Sequence, residues 1–331
     1  MFPVPATLAN SAGSLPLVSV VLITYNHAAF IRQALDGILM QEGAFEMEVV
    51  VGNDCSTDGT TAIIADYVAL YPGVFRLLSH ETNLGMHKNV DRSLAASRGS
   101  YVAIIEGDDY WSDTQKLARQ VAFLEANLDF SFCFHNAMVI YEDGSGRANH
   151  PMTNIHKLEY SLADITHGWN IATASVMYRN GLLPRMPDWV YEGTASDLVI
   201  FIFLAQRGRV GYLPQMMSVY RINNGVTRTG QQERHMLGIV RMHKNLDCYL
   251  KFRYRRNFIA KFAEDYFILA GLTLASGERS KARRYLLRAI RYQLAGGHLP
   301  NLNSMKALIG TVFPGLVSHF GKASRQQARD D

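Results

Sequence analysis

Cysteine is scarce in this sequence of 331 residues, which contains only three. Cys55, Cys133 and Cys248 lie far apart and form no CxxC pair, so neither a disulfide framework nor a zinc knuckle is indicated. No HExxH or HxxxH spacing occurs, which argues against a catalytic zinc. These absences favour a reducing compartment, and we expect a cytoplasmic protein.

Long hydrophobic runs and an early positive charge are also missing. The longest apolar runs, at 198–205 and 307–313, fall well short of the roughly 20 residues that span a bilayer. The first basic residue is Arg32, so the charged start of a secretory signal is not found. Any membrane contact is therefore expected to be peripheral, on the inner face of the cell membrane.

The formal net charge of +4 conceals an uneven distribution. Residues 251–331 carry 15 Lys/Arg against 5 Asp/Glu, a net of +10, whereas residues 1–250 carry 18 against 24, a net of −6. The acidic first part argues against a general nucleic-acid binder, so no nucleic-acid partner is expected. The basic part could contact an anionic membrane or an anionic acceptor, and a solvated helix face would explain it equally well.

Hydrophobic patterning predicts a strand–loop–helix unit that repeats along the first half of the chain. The predicted strands are 17–24, 48–51, 75–78 and 101–105, and the predicted helices are 28–41, 60–70, 87–97 and 115–127. This alternation implies an α/β fold with a mainly parallel sheet flanked by helices. Ligands of such sheets bind beyond the carboxyl ends of the strands, so the loops that follow the four strands should converge on one crevice.

The pattern changes after the fourth helix. A β-rich run at 130–141, a strand-like segment at 172–178 and a helix at 197–207 are predicted, and from about residue 231 the pattern becomes helical. A helical hairpin is expected there, formed by 262–275 and 281–294. The predicted divisions of the chain are a flexible segment at 1–16, an α/β domain at 17–229 and a basic helical extension at 230–331.

Three carboxylates follow the fourth strand in the sequence Glu106-Gly107-Asp108-Asp109. Mg²⁺ and Mn²⁺ prefer carboxylate and phosphate oxygens. A bound cation would offset the repulsion between these side chains and neutralise a leaving diphosphate. A solvated turn or a helix start would tolerate the same residues. Their position at the carboxyl edge of a sheet favours the metal site.

The other loops carry groups that suit a nucleotide. Asp54 could accept a hydrogen bond from a nucleobase N–H, such as that of uracil. The first loop places an aromatic ring and polar groups at Thr24-Tyr25-Asn26-His27, where a helix-entry turn is the alternative. Lys88 lies at a predicted helix start, which is unfavourable for a cation unless an anion is near.

The four loops together resemble the family 2 glycosyltransferases of the Rossmann-like GT-A fold, over about residues 17–229. The matching segments are Val18-Ser-Val-Val-Leu-Ile-Thr-Tyr-Asn26, Glu48-Val-Val-Val-Gly-Asn-Asp-Cys-Ser-Thr-Asp-Gly-Thr60, Asn83-Leu-Gly85 and Tyr101-Val-Ala-Ile-Ile-Glu-Gly-Asp-Asp-Tyr-Trp111. The resemblance implies inverting transfer of a sugar from a nucleotide-diphosphate donor, a UDP-sugar, to a hydroxyl of a saccharide or lipid-linked acceptor. It also implies a Mn²⁺ or Mg²⁺ cofactor and a role in bacterial cell-surface polysaccharide or glycolipid synthesis.

The same resemblance assigns roles to individual residues. Asp108 holds the metal in a DxD-type motif written here as Glu106-x-Asp108. Asp197, just before an apolar helix, is the general base, although helix capping would also explain it. Arg221 meets the diphosphate or a loop carboxylate, and Asn223 stands where many relatives carry His. The residues expected to bind the nucleotide sugar are Thr24, Tyr25, Asn26, Asp54, Lys88, Glu106, Asp109 and Arg221. Those that could line the sugar pocket are Trp169, Thr173 and Ser175, although a place in the core would explain Trp169 equally well.

Two alternatives stand beside this hypothesis. A nucleotidyltransferase would use the same sheet, a carboxylate-bound metal and a phosphate-facing lysine. No GxGxxG or GxxxxGK[ST] motif is present, which disfavours dinucleotide binding and P-loop chemistry. A non-catalytic sugar-binding scaffold is the second alternative, and the presence of both Asp108 and Asp197 argues against it.

Overall fold

The computed structural model describes residues 17–78, 81–153, 157–168, 171–193, 197–223 and 232–297. The segment 1–16, which the sequence predicts to be flexible, lies outside these residues. The chain divides into two compact units. The first comprises Met1–Tyr191 and Ser196–Gly225, and the second comprises Glu192–Ala195 and Val226–Asp331.

The first unit alternates strands with helices, as the sequence predicts. Its strands are β1 (Leu17–Thr24), β2 (Glu46–Asn53), β3 (Phe75–Leu78), β4 (Tyr101–Glu106), β5 (Tyr110–Trp111), β6 (Phe130–Tyr141), β7 (His150–Pro151), β8 (Glu159–Tyr160), β9 (Met177–Arg179) and β10 (Arg209–Ile222). Its helices are α1 (Ile31–Leu39), α2 (Thr60–Leu70), α3 (Met86–Ala95), α4 (Lys116–Ala126), α5 (Leu162–His167) and α6 (Asp197–Ala205), with short 3-10 helices at Thr173–Ser175 and Asp188–Val190.

All ten strands belong to one sheet, with the order β3-β2-β1-β4-β9-β6-β10-β5, while β7 pairs with β6 and β8 with β10. The pairs β1–β2, β1–β4, β2–β3 and β6–β10 are parallel. Because β9 is antiparallel to both β4 and β6, the six longer strands share one direction. The short strands β5, β7, β8 and β9 run the other way. The expected α/β fold is confirmed.

The core explains why the strands are almost continuously apolar. Val20 and Val21 of β1 point to opposite faces of the sheet, and both are buried because both faces are covered. Helix α1 contributes Ile31, Leu35 and Ile38, which repeat with helical spacing and are fully buried. This packing fixes the strand ends from which the functional loops emerge.

The prediction of a strand over 172–178 is wrong for its first half. Thr173–Ser175 forms a 3-10 helix, and β9 begins only at Met177. The cause is local, because the hydroxyl of Ser175 donates a hydrogen bond of 2.6 Å to the carbonyl oxygen of Ala172, and its amide donates to the same oxygen at 2.9 Å. Serine hydroxyls that bond to the nearby backbone compete with strand pairing in this way.

The second unit is helical in its described part, as expected. It contains α7 (Gln232–Tyr249), α8 (Arg255–Ala275) and α9 (Arg279–Ala295). Helices α8 and α9 form the predicted hairpin, and Gly277 takes a positive φ of 83° at the turn, which favours glycine. Among the described residues, no helix has both the length and the apolar character needed to cross a membrane.

Candidate active site

The carboxyl ends of β1, β2 and β4 lie side by side. Thr24 pairs with Asn53, and Ile23 pairs with Glu106. Two loop amides extend this register, since the N–H of Gly107 donates to the carbonyl oxygen of Ile23 at 2.8 Å and that of Asp54 donates to the carbonyl oxygen of Thr24 at 3.0 Å. Three of the four predicted loops therefore start at one edge of the sheet.

The first loop is fastened to the second by Asn26. Its φ of 57° lies in the left-handed region, which asparagine tolerates better than most residues. Its Oδ1 accepts a hydrogen bond of 2.7 Å from the amide of Thr57, and its own amide donates to Oγ of Ser56 at 2.9 Å. Tyr25 beside it remains 41% exposed, so its ring surface is open to a planar ligand.

Asp54 organises the third loop. It is only 3% exposed, and its carboxylate oxygens accept hydrogen bonds from the amides of Leu84 at 2.7 Å and Gly85 at 2.9 Å. Each oxygen retains a second lone pair, so contact with a nucleobase stays a prediction. Lys88 lies in the first turn of α3, where its side chain is exposed.

Gly107 allows the acidic loop to lie directly on the end of β1. A Cβ atom at this position would lie 2.6 Å from Oγ1 of the buried Thr24 and 2.9 Å from Nδ1 of His27. Those two side-chain atoms are themselves 3.2 Å apart. The loop therefore needs glycine here, between the two carboxylates Glu106 and Asp108.

His27 is the last residue of the predicted first loop, and the sequence assigns it no role of its own. Its Nε2 lies 3.8 Å from Oδ2 of Asp108. Burial lowers the pKa of His27, and the charges of Asp108 and Asp58 oppose this shift only in part. A neutral imidazole therefore stands beside the predicted metal residue.

The carboxylates of Asp108 and Asp109 have opposite surroundings. The Asp108 side chain is 24% exposed, and its Oδ2 accepts a hydrogen bond of 3.0 Å from Nδ2 of Asn223. Asp109 is 1% exposed, and its Oδ1 accepts a hydrogen bond of 2.8 Å from the amide of Arg221. Burial, followed by the charges of Glu106 and Asp108, raises the pKa of Asp109 well above its usual range. The carboxylate of Asp108 is thus partly open to solvent, while that of Asp109 is buried.

Glu106 connects the acidic loop with Asp197. Burial raises the pKa of Glu106 to about 8, and the charges of Asp108 and Asp197 add to the shift. Asp197 opens α6, 91 positions further along the chain. The fold therefore brings the predicted general base into the electrostatic field of the acidic loop.

Tyr220 is a second residue that the sequence did not reveal. Burial raises the pKa of its hydroxyl, and the charges of Glu106, Asp109, Asp108 and Asp197 raise it further. Its neighbour Val219 pairs with Tyr110 across the end of the sheet. The phenol thus stays neutral near four carboxylates and can donate a hydrogen bond. Tyr220 directly precedes Arg221 in the same strand, so the two side chains point to opposite faces of the sheet. This neighbourhood is the sequence signal that could have pointed to Tyr220 as a site residue.

The buried side chain of Arg221 is hydrogen-bonded to the acidic loop. Only 4% of its side chain is exposed, and the guanidinium donates hydrogen bonds to the carbonyl oxygen of Asp108 and, at 2.7 Å, to Oε1 of Gln33. Its Nε forms an ion pair of 2.9 Å with Oε2 of Glu142. The guanidinium of Arg221 thus contacts the acidic loop through the carbonyl oxygen of Asp108. To bind a diphosphate, the guanidinium would have to leave these partners.

The residues expected in the sugar pocket are placed only in part. Trp169 lies outside the described residues. Thr173 is partly exposed and Ser175 is fully buried, both within the 3-10 helix. The carbonyl oxygen of Ala174 between them accepts a hydrogen bond of 2.8 Å from Nε1 of Trp111. This helix is therefore attached to the strand that follows the acidic loop.

The site provides few protein ligands for a cation. Within the described ranges, no group of three or more His, Cys, Asp or Glu side chains is arranged to hold a metal ion. Mg²⁺ is usually bound by one or two carboxylates together with substrate phosphates, and a site of that kind needs no such group. The partly exposed carboxylate of Asp108, which lies between Glu106 and Asp109 in the sequence, has the chemistry of such a partial site.

Comparison with known proteins connects this geometry to a family. The sequence model described as glycosyl transferase family 2 matches residues 19–183. The Mycobacterium tuberculosis protein Rv1520 is 37% identical over 227 residues, which is 68% of this chain and 65% of Rv1520. The chain therefore spans slightly less than two thirds of the length of that relative.

Solved structures share the fold at low sequence identity. S. aureus TarS 1-349 in complex with UDP-GlcNAc superposes with a TM-score of 0.55 and 20% identity, covering 89% of this chain and 81% of that chain. The mannosyltransferase PcManGT from Pyrobaculum calidifontis, in complex with GDP-Man and Mn²⁺, gives a TM-score of 0.51 at 18% identity, covering 98% and 87% of the two chains. These likenesses establish the GT-A fold.

Proposed function

Because the chain belongs to glycosyl transferase family 2 through residues 19–183, we propose that it transfers a sugar from a UDP-sugar to a hydroxyl acceptor with inversion. The observation that carries this proposal is that Asp197 lies close enough to the carboxylates of the acidic loop to act on them electrostatically. The charge of Asp197, at the start of α6, acts on Glu106 of the acidic loop and on Tyr220 of β10. A base and a leaving-group site can thus act on one sugar.

The chemical step uses Asp197 as the general base. The acceptor oxygen forms a bond to the anomeric carbon as the bond from that carbon to the diphosphate oxygen breaks. The acceptor proton passes to Asp197, and the nucleoside diphosphate leaves with the electron pair. Attack from the side opposite the leaving group inverts the configuration. A positioned carboxylate base typically contributes about 10²- to 10⁴-fold to the rate.

We propose that Asp108 holds Mn²⁺ or Mg²⁺ together with oxygens of the donor diphosphate. The cation would neutralise charge that develops on the leaving group. The crowding of acids around Glu106 supports this assignment, because the charges of Asp108 and Asp197 add to burial in raising the pKa of its carboxyl group. The presence of Mn²⁺ in the complex of the mannosyltransferase from Pyrobaculum calidifontis also supports it.

The strand-end loops bind the nucleotide in this proposal. Tyr25 offers an exposed ring for the base, Asn26 and Thr24 shape the first loop, and Asp54 accepts a base N–H through a remaining lone pair. The TarS complex contains UDP-GlcNAc, which supports a uridine donor. Lys88 supplies a positive charge for the diphosphate. Tighter binding of GDP than of UDP would contradict this assignment of the base.

The acceptor in this proposal is a saccharide or lipid-linked hydroxyl used in cell-surface polysaccharide or glycolipid synthesis at the inner face of the bacterial membrane. The basic charge of residues 251–331 supports this location, since anionic lipids attract such segments. A screen of saccharide and lipid-linked acceptors with the purified protein would identify the acceptor class.

The product of the reaction tests the proposed activity. With a UDP-sugar, Mn²⁺ and an acceptor, phosphorus NMR should show release of UDP, whereas a nucleotidyltransferase that moves the UMP group to the acceptor would release the sugar 1-phosphate. Asp197→Asn should bind UDP normally and lose at least about 100-fold in transfer rate, because the base is removed. Asp188→Asn, at the exposed start of another short helix, is the matched control and should remain active. Full transfer by Asp197→Asn would contradict the assignment of the base.

A further inference from the structure

The three helices of the second unit surround a cavity of about 450 Å³. Its polar lining is formed by basic and aromatic side chains: Lys244, Arg255, Arg288, Arg291, Tyr266 and Tyr292. No Asp or Glu is among the residues that line it within the described helices. All of its lining residues belong to the second unit, whereas the strand-end loops of the candidate active site belong to the first.

The acids of these helices are engaged elsewhere. Residues 232–297 contain five carboxylates; none of them lines the cavity, and each pairs with a basic side chain, which in one case is the cavity residue Arg255. The pairs are Glu233–Lys281, Asp247–Arg255, Glu264–Lys261, Asp265–His243 and Glu278–Lys281. Within this part of the chain, Lys244, Arg288 and Arg291 therefore face the cavity without a carboxylate to neutralise them. A cluster of this kind is electrostatically unfavourable until an anion enters.

Tyr266 contacts two of these cations, Arg288 and Lys244, and stacks with Tyr292. The rings of Tyr266 and Tyr292 are nearly parallel, with centroids 5.8 Å apart and an angle of 6° between their planes. The guanidinium of Arg288 lies 5.6 Å from the centroid of the Tyr266 ring, and Nζ of Lys244 lies 3.5 Å from the hydroxyl oxygen of Tyr266. Cation–π contacts of this type orient the charged groups before a ligand arrives.

We propose that this cavity binds a phosphate or diphosphate group. Several guanidinium groups beside a lysine suit phosphate oxygens, because arginine can donate two parallel hydrogen bonds and lysine adds a point charge. The volume is in the range of small-molecule sites, which run from about 300 to 1,000 Å³. The phosphate can come from a soluble organic phosphate or from the headgroup of a lipid, since both present the same oxygens.

Calorimetry of the full-length protein with inorganic pyrophosphate tests the site. We expect saturable binding that weakens as ionic strength rises. The double variant Arg288→Gln/Arg291→Gln should lose at least about tenfold in affinity, because both guanidinium groups are removed. Arg279→Gln/Arg283→Gln removes the same charge from α9 at positions that do not line the cavity, and it should stay within about twofold of wild type.

Vesicle sedimentation distinguishes the two sources of phosphate. If phosphatidylglycerol vesicles, unlike phosphatidylcholine vesicles, bind the protein and the cavity variant alone loses this binding, the ligand is a lipid headgroup. If pyrophosphate binds and the vesicles do not, it is a soluble phosphate. Equal losses in the cavity variant and its control would overturn the proposal, as would wild-type protein that binds neither probe. Thermal unfolding of both variants checks that the helices remain folded.

Discussion

The side-chain amide of Asn223 donates a hydrogen bond of 3.0 Å to Oδ2 of Asp108, and so joins the end of β10 to the acidic loop. Hydrogen bonds to a charged acceptor contribute about 1.5–3 kcal/mol. This bond fixes one oxygen of the carboxylate that we propose as the metal ligand. Asn223→Ala should therefore weaken Mn²⁺-dependent UDP binding by about tenfold in calorimetry, because Asp108 loses its orientation.

The matched control for Asn223 is Asn180→Ala. The Asn180 amide donates to the carbonyl oxygens of Gly99 at 2.8 Å and Ser97 at 3.3 Å, before the start of β4 and so at the other edge of the sheet. This variant should lose some thermal stability and keep its affinity for UDP. Unchanged UDP affinity in Asn223→Ala would show that the hydrogen bond to Asp108 does not support donor binding.

Gly107→Ala should displace the acidic loop. The new Cβ would meet Oγ1 of Thr24 at 2.6 Å, and buried side chains can yield only at a cost of about 1–3 kcal/mol. We expect a melting temperature lower by several degrees and a marked loss of Mn²⁺-dependent UDP binding. Gly59→Ala is the control, because its φ is −70° and its Cβ would meet only Cβ of Ala28 at 3.6 Å. A Gly107→Ala protein that binds UDP with Mn²⁺ as wild type does would contradict the close approach of the acidic loop to Thr24.

Tyr220→Phe tests the phenol among the four carboxylates. If its hydroxyl donates to the donor sugar or the acceptor, losing that bond should lower kcat/KM by about 3- to 10-fold, since a hydrogen bond contributes roughly 0.5–1.5 kcal/mol. Tyr178→Phe removes a hydroxyl whose pKa is raised by burial alone, and it should affect stability without changing the kinetics. Identical kinetics for Tyr220→Phe and wild type would exclude a role in the reaction.

Lys116 gives a prediction for the pH dependence of stability. Its side chain is fully buried, with Nζ 3.8 Å from the centroid of the Trp111 ring, and burial lowers its pKa well below 10.5. The unfolded chain therefore binds more protons, so this residue makes stability rise with pH between the lowered pKa and 10.5. Lys116→Met should gain stability over wild type at pH 7, and the gain should shrink toward pH 10. A difference in melting temperature that does not vary with pH would contradict this.

Much of the fold could be predicted from the sequence because its signals are local. Apolar runs such as Leu17–Thr24 indicate strands buried on both faces, and the spacing of Ile31, Leu35 and Ile38 indicates the helix that packs on them. The order of strand, loop and helix then implies that the loops meet at one edge. The start of β9 was missed because Ser175 bonds to the backbone three residues earlier, which hydrophobic patterning does not record.

The inner structure of the site could not be predicted in the same way. Asp108 and Asp109 are adjacent in sequence, yet the first is partly exposed and the second is buried against the amide of Arg221, 112 residues away. Strand β10, which carries Arg221, pairs with β5 directly after the acidic loop, and this pairing also places Tyr220 and Asn223 beside that loop. Such contacts depend on strand pairing over more than a hundred residues, and no local periodicity encodes it.

The most direct test of the proposed site is calorimetric titration of UDP with Mn²⁺ and with EDTA, on wild-type protein, Asp108→Asn and Asp197→Asn. We predict that chelation weakens UDP binding to wild type by at least about tenfold and that Asp108→Asn binds UDP weakly with or without Mn²⁺. Asp197→Asn should keep the metal-dependent affinity of wild type, because the role that we propose for its carboxylate is to accept the proton of the acceptor. Equal UDP affinity in Mn²⁺ and in EDTA, unchanged by Asp108→Asn, would contradict a metal site at the acidic loop.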